Sequence, residues 1–500
     1  MKIGAIKMEK KYVLAIDQST QGTKALLFDK NGQIICRTDL SHKQYINEKG
    51  WVSHDLEEIY KNTILVVKNL IEKARIQKEE IVCLGISNQR ETSAAWDRKT
   101  GEPLAKAIVW QCNRAEDICE RVKDMGAFQK IKEKTGMPLS PYFPAAKYAW
   151  LQENVEGIAR KKDDSSLCFG TIDTWLIYKL TKGKVYATDY SNASRTQLYN
   201  IHTLSWDSEI CQLFKIDKES LPEVRDSSYH YGDTDFDGLF HTPIPICGVI
   251  GDSQGALFGQ GCIEAGMVKA TYGTGSSVMM NIGEKPIKSN HGLVTSLGWG
   301  LNGKVYYVLE GNINYTGAVI TWLKNEIGLI DSPAEAQKLA CQANKNDKTY
   351  LVPAFSGLGA PYWKSDATAM FTGMSRITGK KEIIKAALES IAYQITDVVK
   401  MMEAEKGISI KELCVDGGPT ENQYLMKFQS DILNTPVKLP RCEESSAQGA
   451  GYMAGIYMGF YEKEKLFFEI KRNKFIPSFS EEEREEKYLG WKAAIEKVIR

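Results

Sequence analysis

Asp17 closes an apolar, β-branched run, YVLAID, and is followed at once by the turn Ser19-Thr20-Gln21-Gly22-Thr23. A carboxylate at such a strand end can hold Mg²⁺, which takes oxygen ligands and bridges to phosphates. A turn of Gly, Ser and Thr brings backbone N–H groups and hydroxyls close to phosphate oxygens. A second turn of this composition, Gly273-Thr274-Gly275-Ser276-Ser277, lies inside MVKATYGTGSSVMMNIG, and a third follows the strand-like ELCVDGGPTEN, where Gly418 and Asn422 stand. Asp252 ends another strand-like run, PIPICGVIGD. Two such turns, one per domain, could face each other and hold a polyphosphate. The same residue types also make ordinary hairpin turns, so composition leaves both readings open. Neither a GxxxxGK[ST] loop nor an HRD…DFG set is present, so phosphate chemistry here would need another scaffold.

The elements that must carry these residues alternate between strand and helix. KALLFD and QIICR follow the first turn as strands separated by KNG, and IVCLGIS (Ile81 to Ser87) reads as a buried strand. Leu56 to Lys73 has helical periodicity, and SQGALFGQG after Asp252 reads as a helix start. This alternation predicts an α/β fold. The strand, Gly/Ser/Thr turn, strand pattern occurs early and again after Asp252, a weak internal repeat. The apolar segment Gly449 to Phe460 is too short to span a bilayer and reads as a buried helix with small residues on a packing face. The charged SEEEREEKYLGWKAAIEKVI near the C-terminus reads as a solvated helix.

With 500 residues the chain should hold two or more domains. Lys and Arg total 64 against 63 Asp and Glu, so no charge excess points to nucleic acid or an anionic membrane. Lysines and Glu9 interrupt the first residues before an apolar stretch can form, so no signal peptide is expected, and the cytoplasm is the expected compartment. The 11 cysteines form no CxxC pair and the six histidines match no metal spacing, which predicts reduced thiols and no zinc site.

Longer patterns are more specific than the turns. Tyr142 to Asn154 (YFPAAKYAWLQEN) and Ala369 to Glu389 (AMFTGMSRITGKKEIIKAALE) resemble the two signatures of the FGGY carbohydrate kinases, with Lys147 and Trp150 in register. LVPAFSGLGAPYW is also similar to that family, and the resemblance runs from about Tyr12 to Tyr461. Within the family, GISNQRET, AIVWQCNR, GTIDTWLIYKL, TDYSNASRT and NIHTLSWD look like the branch that phosphorylates glycerol. The resemblance implies two ribonuclease-H-like α/β domains of the actin/hexokinase type with a cleft between them. They would fall at 10–258, with the polyol site and first phosphate turn, and 259–500, with the nucleotide site. It implies ATP and Mg²⁺ as co-substrate and metal, a small polyol or sugar as acceptor, and a homo-oligomer (dimer or tetramer) by analogy. It also implies roles by position. Arg90 and Glu91 would bind the polyol hydroxyls, Trp110 would pack on its carbons and Tyr142 would add a contact. Asp252 would be the catalytic base and Asp17 the metal ligand. Ser19, Thr20, Gln21, Lys24, Thr274, Gly317, Thr321, Gly418 and Asn422 would line the nucleotide site. An Arg–Glu pair supplies both donor and acceptor to a hydroxyl. The plainer alternatives are a surface ion pair for Arg90–Glu91 and a helix N-cap for Asp252.

Three positions depart from the glycerol branch. Ser253 stands where Gln is usual, Ser276–Ser277 where Cys-Phe is usual, and Thr321 where Gln is frequent. Losing the Phe ring at Ser277 would widen an acceptor pocket. Glycerol is therefore the expected acceptor, with a four- or five-carbon polyol or ketose (erythritol, erythrulose, xylulose, ribulose) as the alternative. Pocket changes of this kind shift discrimination by about 1–3 kcal/mol. A non-catalytic sugar sensor on the same scaffold is the third reading, and intact Asp252 speaks against it.

Overall fold

The computed structural model describes residues 10–163, 165–440, 444–468 and 472–500. It divides into two units. The first comprises residues 10–261, 296–307 and 444–468, and the second 262–295, 308–440 and 472–500. Among the described residues no helix is long and apolar enough to cross a membrane. The ten described cysteines are free thiols.

The first unit is built on a six-stranded sheet in the order Asp233–Thr234, Ile244–Gly251, Ile81–Asn88, Tyr12–Gln18, Gly22–Phe28, Ile34–Ser41. Tyr12–Gln18 pairs antiparallel with Gly22–Phe28 across the Ser19–Gln21 turn, and parallel with Ile81–Asn88. Ile244–Gly251 continues the parallel set on the far side of Ile81–Asn88. Every residue of Ile81–Asn88 is buried, as expected of a central parallel strand covered on both faces. Because these strands run the same way, their carboxyl ends share one edge. Asp17 and Ile250 both align with Ser87, so Asp17, the Gln89-Arg90-Glu91 turn and Asp252 leave the sheet together. In open α/β sheets that edge is where ligands bind.

One helix, Ser445–Tyr457, is held on this sheet at unusually close range. A Cβ at Gly85 or Gly248 would stand 2.3 or 2.5 Å from the Ala450 carbonyl oxygen. A Cβ at Gly449 would stand 2.0 Å from the Gly255 carbonyl oxygen in the Asp252–Gly259 helix. The apolar segment read from sequence is thus a buried helix whose small residues let backbone touch backbone.

The second unit repeats the plan. Its sheet runs Ser276–Gly283, Val268–Tyr272, Leu413–Asp416, Val437–Pro440, Arg472–Phe475, with residues 308–313 of the strand Lys304–Ile313 beside Ser276–Gly283. Val268–Tyr272 pairs antiparallel with Ser276–Gly283 and parallel with Leu413–Asp416, which pairs parallel with Val437–Pro440. Each unit therefore has a hairpin, a third strand beside its second arm, and parallel strands beyond its first. The likeness seen in two turns extends to the strand order.

The C-terminal helix, Glu481–Ile499, differs from the solvated helix expected. Trp491, Ala494 and Ile495 are buried, and the Trp491 ring stacks on Tyr393 at 5.1 Å. Buried Asp397 of the Lys380–Lys406 helix accepts from Trp491 Nε1 at 2.7 Å and from the Tyr488 hydroxyl at 2.6 Å. The glutamates crowd the first two turns, and their number masked the apolar stripe of Trp491, Ala494 and Ile495 in the later turns.

Gly449→Ala is expected to lower the unfolding free energy by about 1–3 kcal/mol through overpacking, measured by urea denaturation. An unchanged midpoint would show that the helix can lift off the sheet without cost.

Candidate active site

Arg90 and Glu91 lie in the turn that leaves Ile81–Asn88, and both are buried, at 6% and 2% exposure. This excludes a surface ion pair. Glu91 adopts φ 59°, a left-handed conformation that is costly for a side chain of its size. Arg90 Nε is 3.2 Å from Asp252 Oδ1 and 3.9 Å from Glu91 Oε1, so Arg90 chiefly serves Asp252. Glu91 is instead held by Arg195 Nε, which donates a short charge-assisted bond to Oε1. Asp252 is the first residue of its helix, after the Gly251 cap, so it is not the N-cap. Its carboxylate also accepts from Ser253 N at 2.6 Å and from Ser253 Oγ at 3.3 Å, yet the side chain stays 39% exposed. A fixed but accessible carboxylate can take a proton from a hydroxyl brought to it.

Lys147, in the Pro144–Asn154 helix, fastens the neighbouring wall. Its Nζ donates to the carbonyls of Tyr142 at 2.6 Å, Trp110 at 3.1 Å and Glu91 at 3.4 Å. Burial pulls its pKa down to about 7, opposed by the Glu91 charge. The Trp110 and Tyr142 rings meet edge to face at 5.6 Å, and Trp110 Nε1 donates to Thr20 Oγ1 at 2.9 Å. One lysine thus ties the acidic turn and both aromatic residues into one surface.

Asp17 is buried, and its pKa is pushed up to about 6. Burial is the main cause; Lys24 opposes it, and the charges of Glu444 and Asp252 add to it. Lys24 Nζ sits 2.7 Å from Glu444 and 3.8 Å from Asp17. Arg37 Nη1 pairs with the other oxygen of Glu444 at 2.5 Å. The Ser19–Gln21 turn is closed by Ser19 N donating to the Gly22 carbonyl at 2.8 Å. Ser19 and Thr20 are partly buried and Gln21 is exposed.

In the second unit, Gly273 to Gly275 forms a tight turn, with Gly273 N donating to the Gly275 carbonyl at 2.8 Å. Thr274 is exposed at its tip, and its carbonyl accepts from Thr316 N and Ala318 N, each at 3.0 Å. These bonds seat the start of the Gly317–Asn325 helix against the turn. A Cβ at Gly317 would come 2.5 Å from the Gly273 carbonyl oxygen, so glycine is required there. Thr321 lies one turn on, exposed, with its hydroxyl donating to the Gly317 carbonyl at 3.2 Å. Gly418 is exposed with open space beside it, and Asn422 caps the Gln423–Leu433 helix by accepting from Leu425 N at 3.0 Å. The Asn422 Nδ2 group is buried without a partner, a donor held ready for a ligand. Ser277 Oγ donates to buried Glu310 at 3.0 Å.

The structure therefore gathers Asp17, Thr20, Lys24, Arg90, Glu91, Trp110, Tyr142, Asp252 and Ser253 on the first unit. It gathers Thr274, Ser277, Gly317 and Thr321 around one turn of the second, with Gly418 and Asn422 at the helix entry after Leu413–Asp416. Sequence reasoning missed Arg195 and Glu444. Arg195 lay in the TDYSNASRT segment, whose single basic residue was the available signal. Glu444 had none, since its partners are 420 and 407 positions away.

Asp17 titrates higher in the fold than its ordinary 3.8. Its contribution to stability is thus fully present below about pH 4 and is lost as pH rises through about 6. Asp17→Asn removes the cost of an ionised buried carboxylate. Around pH 7.5, without nucleotide, the variant is expected to be more stable to urea than wild type by about 1–3 kcal/mol. That advantage should fade between about pH 6 and pH 4. A variant less stable at every pH would contradict the electrostatic account.

The profile of the FGGY family of carbohydrate kinases, N-terminal domain, matches residues 12–259, and that of the C-terminal domain matches 268–458. Glycerol kinase 1 of Thermotoga maritima is 49% identical over 490 residues, covering 98% of this chain and 99% of that protein. The crystal structure of Plasmodium falciparum glycerol kinase with ADP superposes with a TM-score of 0.91 at 37% identity, covering 98% of this chain and 99% of that one. Ligand-bound xylulose kinase from Lactobacillus acidophilus shares the fold, with a TM-score of 0.85 at 22% identity over 97% of both chains. With both domain profiles matched over most of its length, the chain belongs to the FGGY family of carbohydrate kinases.

Proposed function

We propose that this kinase transfers the γ-phosphoryl group of MgATP to glycerol, giving sn-glycerol 3-phosphate and ADP. The observation that carries the reading is Asp252, fixed by Arg90 and Ser253 yet exposed, beside the buried Glu91 carboxylate and the Trp110–Tyr142 surface. The full-length likeness to glycerol kinases supports it. A short triol needs a few convergent donors and acceptors and an apolar edge, which Arg90, Glu91 and the two aromatic residues offer.

In this reading Arg90 and Glu91 orient the acceptor, and Asp252 accepts the proton of the attacking hydroxyl as the phosphoryl group moves. Thr20, Lys24, Thr274, Gly317, Thr321, Gly418 and Asn422 serve the nucleotide. Asp17 fits Mg²⁺: a buried carboxylate crowded by Glu444 and Asp252 lacks positive charge, and Mg²⁺ is commonly held by one or two carboxylates plus phosphates. When bound, the cation neutralises charge on the phosphates.

The serines that departed from the glycerol branch bear on the acceptor. Ser277 Oγ is bonded to Glu310 and Ser253 Oγ to Asp252. Both hydroxyls are committed to carboxylates within the protein, which favours glycerol over a longer, more polar acceptor.

Coupled ADP-release assays with MgATP and glycerol, dihydroxyacetone, erythritol, erythrulose, xylulose or ribulose test the proposal. Glycerol is expected to lead in kcat/KM by about tenfold or more. A lead by a four- or five-carbon acceptor would overturn the glycerol reading. Asp252→Asn is expected to lose about 10²–10⁴-fold in kcat with little change in glycerol KM. Near-normal kcat in that variant would remove Asp252 from the base role.

A further inference from the structure

We infer that Arg195 is the positioning residue for Glu91, aiming its carboxylate so that it can accept a hydroxyl of the acceptor. The inference deepens the polyol-kinase reading above and rests on it.

The geometry begins in the backbone. Arg195 follows the short Tyr190–Ser194 helix, whose N-cap, Asp189, accepts from Ser191 N at 3.0 Å and Asn192 N at 2.9 Å. Asn192 and Asn88 exchange two amide bonds, Nδ2 to Oδ1, at 2.9 and 3.0 Å. Asn88 is the last residue of the Ile81–Asn88 strand, and Glu91 stands in the turn that follows. Thr196 O accepts from Ala145 N at 2.9 Å, tying Arg195 to the helix that carries Lys147. A neutral side-chain pair and a backbone bond thus fix where Arg195 meets Glu91. The guanidinium lies over the Phe143 ring at 5.3 Å, and the residue is 1% exposed.

Arg195 binds Glu91 through Oε1. A carboxylate accepts through both of its oxygens, so Oε2 can serve a hydroxyl of the acceptor. The other charged groups facing Glu91 are Arg90 at 3.9 Å, Lys147 on the Glu91 carbonyl, and Asp252 across Arg90. Lys147 is spent on three backbone carbonyls, with burial pulling its pKa down to about 7, and Arg90 is engaged by Asp252. Arg195 is therefore the principal counter-charge of a carboxylate that is 2% exposed. Removing it leaves a buried charge poorly paired, and such a carboxyl takes up a proton at higher pH.

The test uses the acceptor that wild-type enzyme prefers, so a non-glycerol preference overturns the glycerol reading without touching the role of Arg195. In Arg195→Met, acceptor KM is expected to rise about tenfold near pH 6.5 and to return toward wild type near pH 9, with kcat and MgATP KM little changed. Arg195→Lys should recover most of the affinity. Glu91→Gln should show a raised acceptor KM that is flat with pH, and adding Arg195→Met to it should cost nothing further. If Arg195→Met does not fold, the double variant, which carries no unpaired charge, is expected to fold and keep the flat profile. A double variant that fails to fold, additive losses, or a kcat loss with pH-independent KM would each make Arg195 merely structural and overturn the inference. A wild-type protein inactive on every acceptor would overturn both readings.

Discussion

Backbone-to-backbone contact between the Ser445–Tyr457 helix and the centre of the first sheet is the constraint from which the site follows. Gly85 and Gly248 sit on adjacent parallel strands and both abut the Ala450 carbonyl, while Gly449 abuts Gly255. Close packing of this kind tolerates no added methyl group. Its effect reaches the chemistry through the residues at the helix start. Glu444 brings its carboxylate to Lys24 and Arg37, and Ser446 Oγ donates to the Asp252 carbonyl at 2.9 Å. A helix standing one side-chain layer further away would leave Lys24 without its main partner and the Asp252 turn without its brace.

The site is also a distribution of buried charge. Arg90 with Asp252, Arg195 with Glu91, and Lys24 with Glu444 form three ion pairs within one edge of the sheet. Isolated buried charges are costly, and pairing offsets only part of that cost. Asp17 receives the least help, which is why burial raises its pKa. Function explains the arrangement better than stability does. In the proposed function, a polyol would bring hydroxyls and a nucleotide negative charge to groups already oriented by their pairing.

Much of this was legible in the sequence because it is local. A strand ending in Asp17 or Asp252, a turn of Gly, Ser and Thr, and a helix beginning after a carboxylate are properties of ten or so neighbouring residues. The same signal marked the Val268–Tyr272 and Ser276–Gly283 hairpin of the second unit, though not the order of its sheet. What escaped was long-range. Arg195 and Glu91 are 104 positions apart, and Lys24 and Glu444 are 420 apart. No periodicity within either segment announces the partner. Composition misled where it dominated pattern: the glutamates of Glu481–Ile499 concealed the Trp491 face that packs on Tyr393. Arg90 and Glu91, adjacent and opposite in charge, invited pairing with each other. The turn geometry instead sends each to a different partner.

The late return of residues 444–468 to the first unit has a bearing on biosynthesis. The strands that end in Gln18, Asn88 and Gly251 are all complete by about the middle of the chain. The helix that covers their centre is translated nearly 200 residues after Gly251. At about 5–20 residues per second, the sheet's glycine-lined face waits on the order of 10–40 s for its cover. During that interval the nascent sheet presents an apolar surface, which makes an unfinished chain prone to aggregate. A chain interrupted before Tyr457 would therefore lose not a terminal extension but the lid of its first-made half.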